Sequence, residues 1–304
     1  MTARTTGDVL DGVDLRGRTV LVTGVTSGLG SETARALAGA GAHVVLTARD
    51  AVAADTVAAR IREAHPGVEP EVFGVDLANL ESIRALVVRL SARRLPVDVL
   101  INNAGVMYPP LQRTRDGFEL QFGTNHLGHF ALTTALLPAL TAAADRSGRP
   151  ARVVTLSSDA HRAHPVDLVD PNFESRAYDK FVAYGQSKAA NVLMTVELQR
   201  RFGEQGVHAF AVHPGVCATG LARHMSREDM AQMRRMSEGS ENALSNLKSV
   251  PAAAATSVWG GTAPELDTAG GAYLADCAVG AADGHATDLT TAGELWSLSV
   301  RLTS

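Results

Sequence analysis

The stretch Thr19-Val20-Leu21-Val22-Thr23-Gly24-Val25-Thr26-Ser27-Gly28-Leu29-Gly30 is a β-branched run that breaks into three glycines, and a helix-period segment follows from Ser31. That order predicts a buried strand, a tight turn and a helix opening on the turn. Gly24, Gly28 and Gly30 let the backbone approach a pyrophosphate closely, with Ser27 and Leu29 on the same loop, and the free N–H groups and dipole of the following helix attract its charge. The spacing is G-x-x-x-G-x-G, so the general G-x-G-x-x-G dinucleotide fingerprint fails while its mechanism survives. A glycine turn that holds no ligand is the plain alternative.

Outward from this loop the pattern repeats. Continuous apolar runs at 44–47, 72–75, 97–101, 153–156 and 207–212 alternate with amphipathic or Ala-rich segments at 31–40, 51–64, 80–93, 118–140 and 184–201. Strands without polar alternation are those of a sheet buried on both faces, so the fold class expected is α/β, a doubly wound parallel sheet with its ligand at the strands' carboxyl ends. Residues 223–250 depart from the pattern, with Met225, Met230, Met233 and Met236 among charges and serines. They read as a flap over an apolar ligand or as core contacts of a short helix. With no repeat or long linker, one domain over 1–304 is expected, with a core at about 17–220, a flap at 221–250 and a C-terminal extension at 251–304.

Composition narrows the ligand class. The 304 residues are 45% hydrophobic with a net charge of −4, enough for a core and without the basic field that nucleic acid or anionic membranes select. Cys217 and Cys277 are the only cysteines, which gives neither a disulfide framework nor a CxxC pair. Residues 1–18 carry no apolar core of a secretory signal, and the apolar stretch 130–144 is interrupted by threonines and Pro138 and is shorter than a bilayer span. A cytoplasmic protein with no membrane anchor, acting on a small molecule, is expected. The histidine pairs His126/His129 and His161/His164 lack acidic or thiol partners at fitting spacing, so no metal is expected.

Two further features sit on this frame. The second strand ends Thr47-Ala48-Arg49-Asp50, where a dinucleotide fold reads the ribose. Ala48 stands where an acidic residue would accept from a 2′-hydroxyl, and Arg49 can pair a 2′-phosphate, which favours NADP(H) with NAD(H) still open. Arg49 beginning a solvated helix capped by Asp50 is the alternative. Asp76 ends the third strand as an adenine contact or a helix cap, with Leu77 beside it. The second feature is Tyr184-x-x-x-Lys188: with three lysines and four tyrosines in the chain, such a pair arises by chance roughly one time in twenty-five. On a helix the two share a face, and the ammonium would favour ionisation of a phenol that is otherwise a poor acid–base group near neutrality. Ser157-Ser158 closes the fifth strand, where a hydroxyl could bind a carbonyl.

Taken together, Thr23-Gly24-x-x-x-Gly28-x-Gly30, Asn102-Asn103-Ala104-Gly105, Asn125, Ser158, Tyr184-x-x-x-Lys188 and Pro214-Gly215-x-x-x-Thr219 occur in the order of the short-chain dehydrogenase/reductase family, and the chain resembles it over residues 19 to about 220. The resemblance implies a Rossmann fold and a hydride exchanged between nicotinamide and a carbonyl or alcohol. It implies that Asn103, Ala104 and Gly105 line the cofactor, that Asn125 holds a water relaying to Lys188, and that Lys188 also binds the nicotinamide ribose. Ser158 would polarise the carbonyl, Tyr184 would give or take the proton, and Pro214, Gly215 and Thr219 would meet the carboxamide end. The segment 125–130, the long Ser158-to-Tyr184 interval and the tail around Pro264 and Gly270 resemble the retinol dehydrogenase and WW-domain-oxidoreductase-like branch, which includes many bacterial proteins. An Ala- and Arg-rich, Lys-poor composition suits a high-GC bacterial genome, and a ketoreductase of secondary metabolism is one expectation within the branch. A homo-oligomer pairing through 118–140 and 184–201 is also implied. The alternative of another class is a catalytically idle NAD(P)-binding sensor or regulatory protein, against which the complete set Asn125, Ser158, Tyr184 and Lys188 speaks.

Overall fold

The computed structural model describes residues 3–237 and 247–304. Its elements run α1 (Thr6–Leu10), β1 (Thr19–Thr23), α2 (Gly28–Gly39), β2 (His43–Ala48), α3 (Ala51–Ala64), β3 (Glu71–Gly74), α4 (Leu80–Ala92) and β4 (Val99–Asn102). They continue through α5 (Leu120–Phe122), a π-turn (Gly123–Leu127), α6 (Gly128–Ser147), β5 (Ala151–Leu156), α7 (Lys180–Phe202), β6 (Val207–His213), α8 (Arg227–Ser237), α9 (Val250–Thr262), β7 (Tyr273–Ala275), β8 (Ala278–Gly280) and α10 (Leu289–Thr303). All eight strands join one sheet in the order β3-β2-β1-β4-β5-β6-β7-β8, parallel except for the β7–β8 hairpin at its edge. The doubly wound parallel sheet is as expected. β7 and β8 are additions of three residues each, too short to show as apolar runs.

Every residue of β1, β4 and β5 is buried. Alternate side chains feed opposite layers, as the strand period requires: Val20 and Val22 pack with α2, α3 and α9, while Leu21 packs in a layer with α4, α6, α7 and α10. Strand order reverses between β1 and β4, which opens a crevice at their carboxyl ends.

Two helical segments differ most from the sequence expectation. α7 starts at Lys180, four residues early, because the Asp179 carboxylate caps it by accepting from the N–H groups of Phe181 and Val182 at 2.7 and 3.1 Å. The segment expected as one helix over 118–140 is broken by the π-turn and runs on to Ser147. From Leu120 to Ser147 it is long and apolar enough to cross a membrane by length and composition, unlike the shorter stretch read from the sequence. It packs instead against α4 and β5. α10 packs across α7, the π-turn and α6, through Ala292 and Leu295 against Ala190 and Leu193, a His126–Ser299 hydrogen bond of 2.8 Å and a Phe130–Trp296 edge contact. Of the expected flap, α8 is seen. Residues 238–246 and the side chain of Met236 lie outside the described residues.

Candidate active site

A groove crosses the carboxyl ends of the strands from Thr47 and Arg49 at one end to Tyr184 and Lys188 at the other. Gly24, Ser27, Gly28, Leu29, Gly30, Asp76, Leu77, Asn103, Ala104, Gly105, Pro214 and Thr219 line it between these ends. At its centre backbone meets backbone. Gly24 has φ +73°, and a Cβ there would stand 2.8 Å from the Ala104 Cα; a Cβ on Gly30 would stand 2.4 Å from the Gly24 carbonyl and from Asn103 Nδ2. Asn103 Nδ2 donates to the Thr23 carbonyl at 2.7 Å, and the N–H groups of Asn103 and Ala104 both donate to Thr23 Oγ1. The loop is thus stitched to the end of β4.

The helix N-termini differ in a way that fits an anionic ligand here. Asp50, Asn79 and Asp179 cap α3, α4 and α7 with side-chain oxygens. Ser27, at the start of the twelve-residue α2, makes no cap hydrogen bond. The first N–H groups of α2 are therefore left for another acceptor, and the glycine floor leaves room for a pyrophosphate. Asp50 caps α3 as the alternative reading had it, yet Arg49 is exposed on the groove wall. Asp76 caps its own turn by accepting from the Ala78 N–H at 2.9 Å. Gly215, at φ +80°, faces Lys248 rather than the groove.

At the far end Tyr184 and Lys188 are buried. The Lys188 Nζ lies 5.6 Å from the Tyr184 ring centroid and donates to the Leu156 carbonyl at 2.9 Å. The Ser158 hydroxyl acts on the Tyr184 phenol to lower its pKa against the effect of burial and accepts from the Ala160 N–H at 3.3 Å, while Ser157 lines the groove and donates to the Lys188 carbonyl at 2.9 Å. Asn125, in the π-turn, spends its side chain on Val106 N–H and C=O and on Ser187 Oγ at 2.8 to 3.0 Å. Its backbone carbonyl accepts from His129 Nδ1 at 2.9 Å. Since a carbonyl only accepts, His129 Nδ1 carries the proton and Nε2 accepts from Thr23 Oγ1 at 2.9 Å.

The electrostatics correct one expectation. The ammonium was to favour ionisation of the phenol, but burial pushes Tyr184 up to about 12, only partly opposed by Ser158. Burial also brings Lys188 down to about 8. Both groups have left water, and the Lys188 hydrogen bond goes to a backbone carbonyl, so desolvation outweighs the pair.

Three residues near this end went unread in the sequence. Tyr108 is held at φ 57° with its N–H on Gln121 Oε1 at 2.9 Å, which sets its ring edge-on to Tyr184 at 5.1 Å and beside Phe181 at 4.3 Å. No local sequence pattern marks it. His129 and His161 were weighed as members of histidine pairs, and the hydrogen-bond partners that fix them were not read; among the described residues no group of three His, Cys, Asp or Glu is placed to hold a metal.

The short chain dehydrogenase family model matches residues 18–230. The chain belongs to that family. It is a nicotinamide-dependent oxidoreductase acting on CH–OH or C=O groups, within the retinol dehydrogenase-like branch. It is 38% identical to the short-chain dehydrogenase TIC 32 A, chloroplastic, of Brassica napus over 304 residues, covering 99% of this chain and 93% of the relative. Human retinol dehydrogenase 13 is 40% identical over 291 residues, covering 94% and 84%. Among solved structures, an uncharacterized protein from Mycobacterium paratuberculosis superposes with TM-score 0.76 at 35% identity, covering 99% of this chain and 98% of that one. Pseudomonas aeruginosa RhlG, solved as an NADP active-site complex, gives 0.68 at 26%, covering 86% and 95%.

Proposed function

We propose that this dehydrogenase uses NADP(H) in preference to NAD(H) and reduces an apolar ketone or aldehyde, or oxidises the corresponding alcohol. The observation that carries the reading is the buried Tyr184 with Ser158 at its phenol and Lys188 beneath its ring, at the closed end of the glycine-floored groove. The bound nicotinamide supplies or takes up the hydride. Around it Ser158 holds the carbonyl oxygen, and Tyr184, a protonated phenol at neutral pH, donates the proton to that oxygen in reduction. Lys188, with Asn125 behind it, returns the proton to Tyr184 and holds the ribose. Arg49 supports the NADP preference as the cation on the adenosine-side wall, with Ala48 beside it in place of a carboxylate. RhlG, its relative in fold, binds NADP.

An apolar substrate is supported by what covers Tyr184. Tyr108, Phe181 and Tyr184 form one cluster with Met107, Ala160, Met225 and Met233 against it. α8 brings the last of these and is tethered by Lys180 Nζ to Asp229 at 2.5 Å. Retinol dehydrogenases among the relatives agree with this wall, and a ketoreductase of secondary metabolism fits it equally. The test is titration with NADPH and NADH, in wild type and Arg49→Ala, followed by a panel of nonanal, all-trans-retinal and polycyclic ketones. Tighter NADPH binding that collapses in Arg49→Ala, with the bulky apolar carbonyls turned over, is expected. Equal NADH binding overturns the cofactor assignment, and turnover confined to small polar carbonyls overturns the substrate class.

A further inference from the structure

The turn that carries Ser158 is gripped from the far end of the chain. Ser158 is the N-cap of the 3-10 turn Asp159–Arg162. Its carbonyl accepts twice from one residue, His161: from the backbone N–H at 3.0 Å and from ring Nδ1 at 2.7 Å. With the proton on Nδ1, the bare Nε2 accepts the backbone N–H of Asp283 at 3.1 Å. The His161 ring is fully buried and burial lowers its pKa, which keeps this tautomer neutral.

Three more contacts join the same turn to the same distant segment. His285 Nε2 donates to the His161 carbonyl at 2.8 Å. Arg162 Nη2 donates to the Ala281 carbonyl at 2.6 Å. The Tyr273 phenol donates to Asp159 at 3.3 Å, and its ring lies 5.0 Å from that of His161. All these partners fall in residues 273–285, beyond the span the family model matches.

We infer that His161 is a positioning residue for Ser158, and that the tail segment 273–285 belongs to the catalytic apparatus because it fixes His161. A buried histidine with satisfied nitrogens is ordinarily a packing residue. Here both ring nitrogens join the serine's own carbonyl to a segment more than a hundred residues away, and a displaced hydroxyl costs rate. The inference rests on the role proposed for Ser158.

The test uses the full chain, NADPH and the panel carbonyl that turns over best. His161→Phe keeps the ring and is expected to lower kcat about 30-fold, with KM and NADPH affinity changed less than about twofold. His161→Asn, whose amide still reaches the Ser158 carbonyl, is expected to recover kcat to within about threefold of wild type, while His161→Gln, reaching toward Asp283, stays low. In a Ser158→Ala background His161→Phe should cost nothing more. Equal losses in Asn and Gln, or losses that multiply with Ser158→Ala, overturn the inference while leaving the serine's role standing. Full activity in Ser158→Ala removes that role and the inference with it. Crystal structures of His161→Asn and His161→Gln supply a readout free of turnover, and stand in if His161→Phe does not fold. Ser158 must stay within reach of Tyr184 in the first and leave it in the second; an unmoved Ser158 in both overturns the inference.

Discussion

At the phosphate end of the groove, Gly24, Gly30 and Ala104 stand backbone against backbone at the ends of two adjacent strands, and the side chains of Thr23 and Asn103 stitch the loop in place. At the catalytic end, the Ser158 carbonyl is held by the His161 ring, which the Asp283 N–H in the tail beyond β8 fixes in turn, and the Tyr184 carbonyl accepts from Ser187 Oγ, itself the acceptor for Asn125 of the π-turn. The first end is a shape that few residues other than glycine can make. The second is a network in which one partner can be exchanged for another of the same hydrogen-bonding pattern. Rigid backbone contact suits a ligand of fixed form such as a pyrophosphate, and a side-chain network can be re-aimed for different carbonyls while the cofactor site stays put.

The comparison breaks most visibly at Gly30. Gly30→Ala forces a Cβ onto the Gly24 carbonyl and Asn103, and at about 1–3 kcal/mol for such overpacking NADPH affinity should fall ~30-fold or more by fluorescence titration, with the catalytic network unharmed. Unchanged affinity would mean the loop yields as freely as the side chains do. Next comes Arg49→Ala, which should weaken NADPH about tenfold through loss of one charge-assisted contact and leave NADH where it was.

A pH effect of similar size sharpens the network side. Burial lowers His126 to about 3 and His129 to about 4. In the unfolded chain both protonate near 6.5, so below that pH the unfolded state binds more protons than the folded one. The stability from these neutral rings is present above about 6.5 and lost as pH falls toward their folded values, by up to about 1 kcal/mol per pH unit each. Urea melts between pH 7 and 5 should show this slope, and His129→Gln should reduce it; an unaltered slope would place the acid sensitivity elsewhere. The smallest effect is at the α8 tether. Lys180→Met should raise the carbonyl KM about threefold and leave kcat and NADPH binding alone, and a changed kcat would make α8 part of the chemistry.

What could be read from the sequence follows the same division. The glycine loop, the buried strands and the Tyr184/Lys188 spacing are local patterns of about four to eight residues, and the backbone obeys them whatever surrounds it. Tyr108, His129 and His161 owe their places to partners 13 to 122 residues away, and nothing beside them in the chain announces those partners. The same is true of α10, whose covering of α7 depends on Leu295 and Trp296 finding a face formed much earlier. The ionisation of Tyr184 went astray for a related reason: spacing shows that a lysine is near, while burial, which only the fold reveals, decides the sign.

The measurement closest to the central claim is Tyr184→Phe, assayed for NADPH binding and for single-turnover NADPH oxidation with the best carbonyl of the panel. The account predicts binding within about twofold of wild type and turnover reduced by ~10³-fold or more, the scale of a lost general acid. Turnover that survives the loss of the phenol would contradict it.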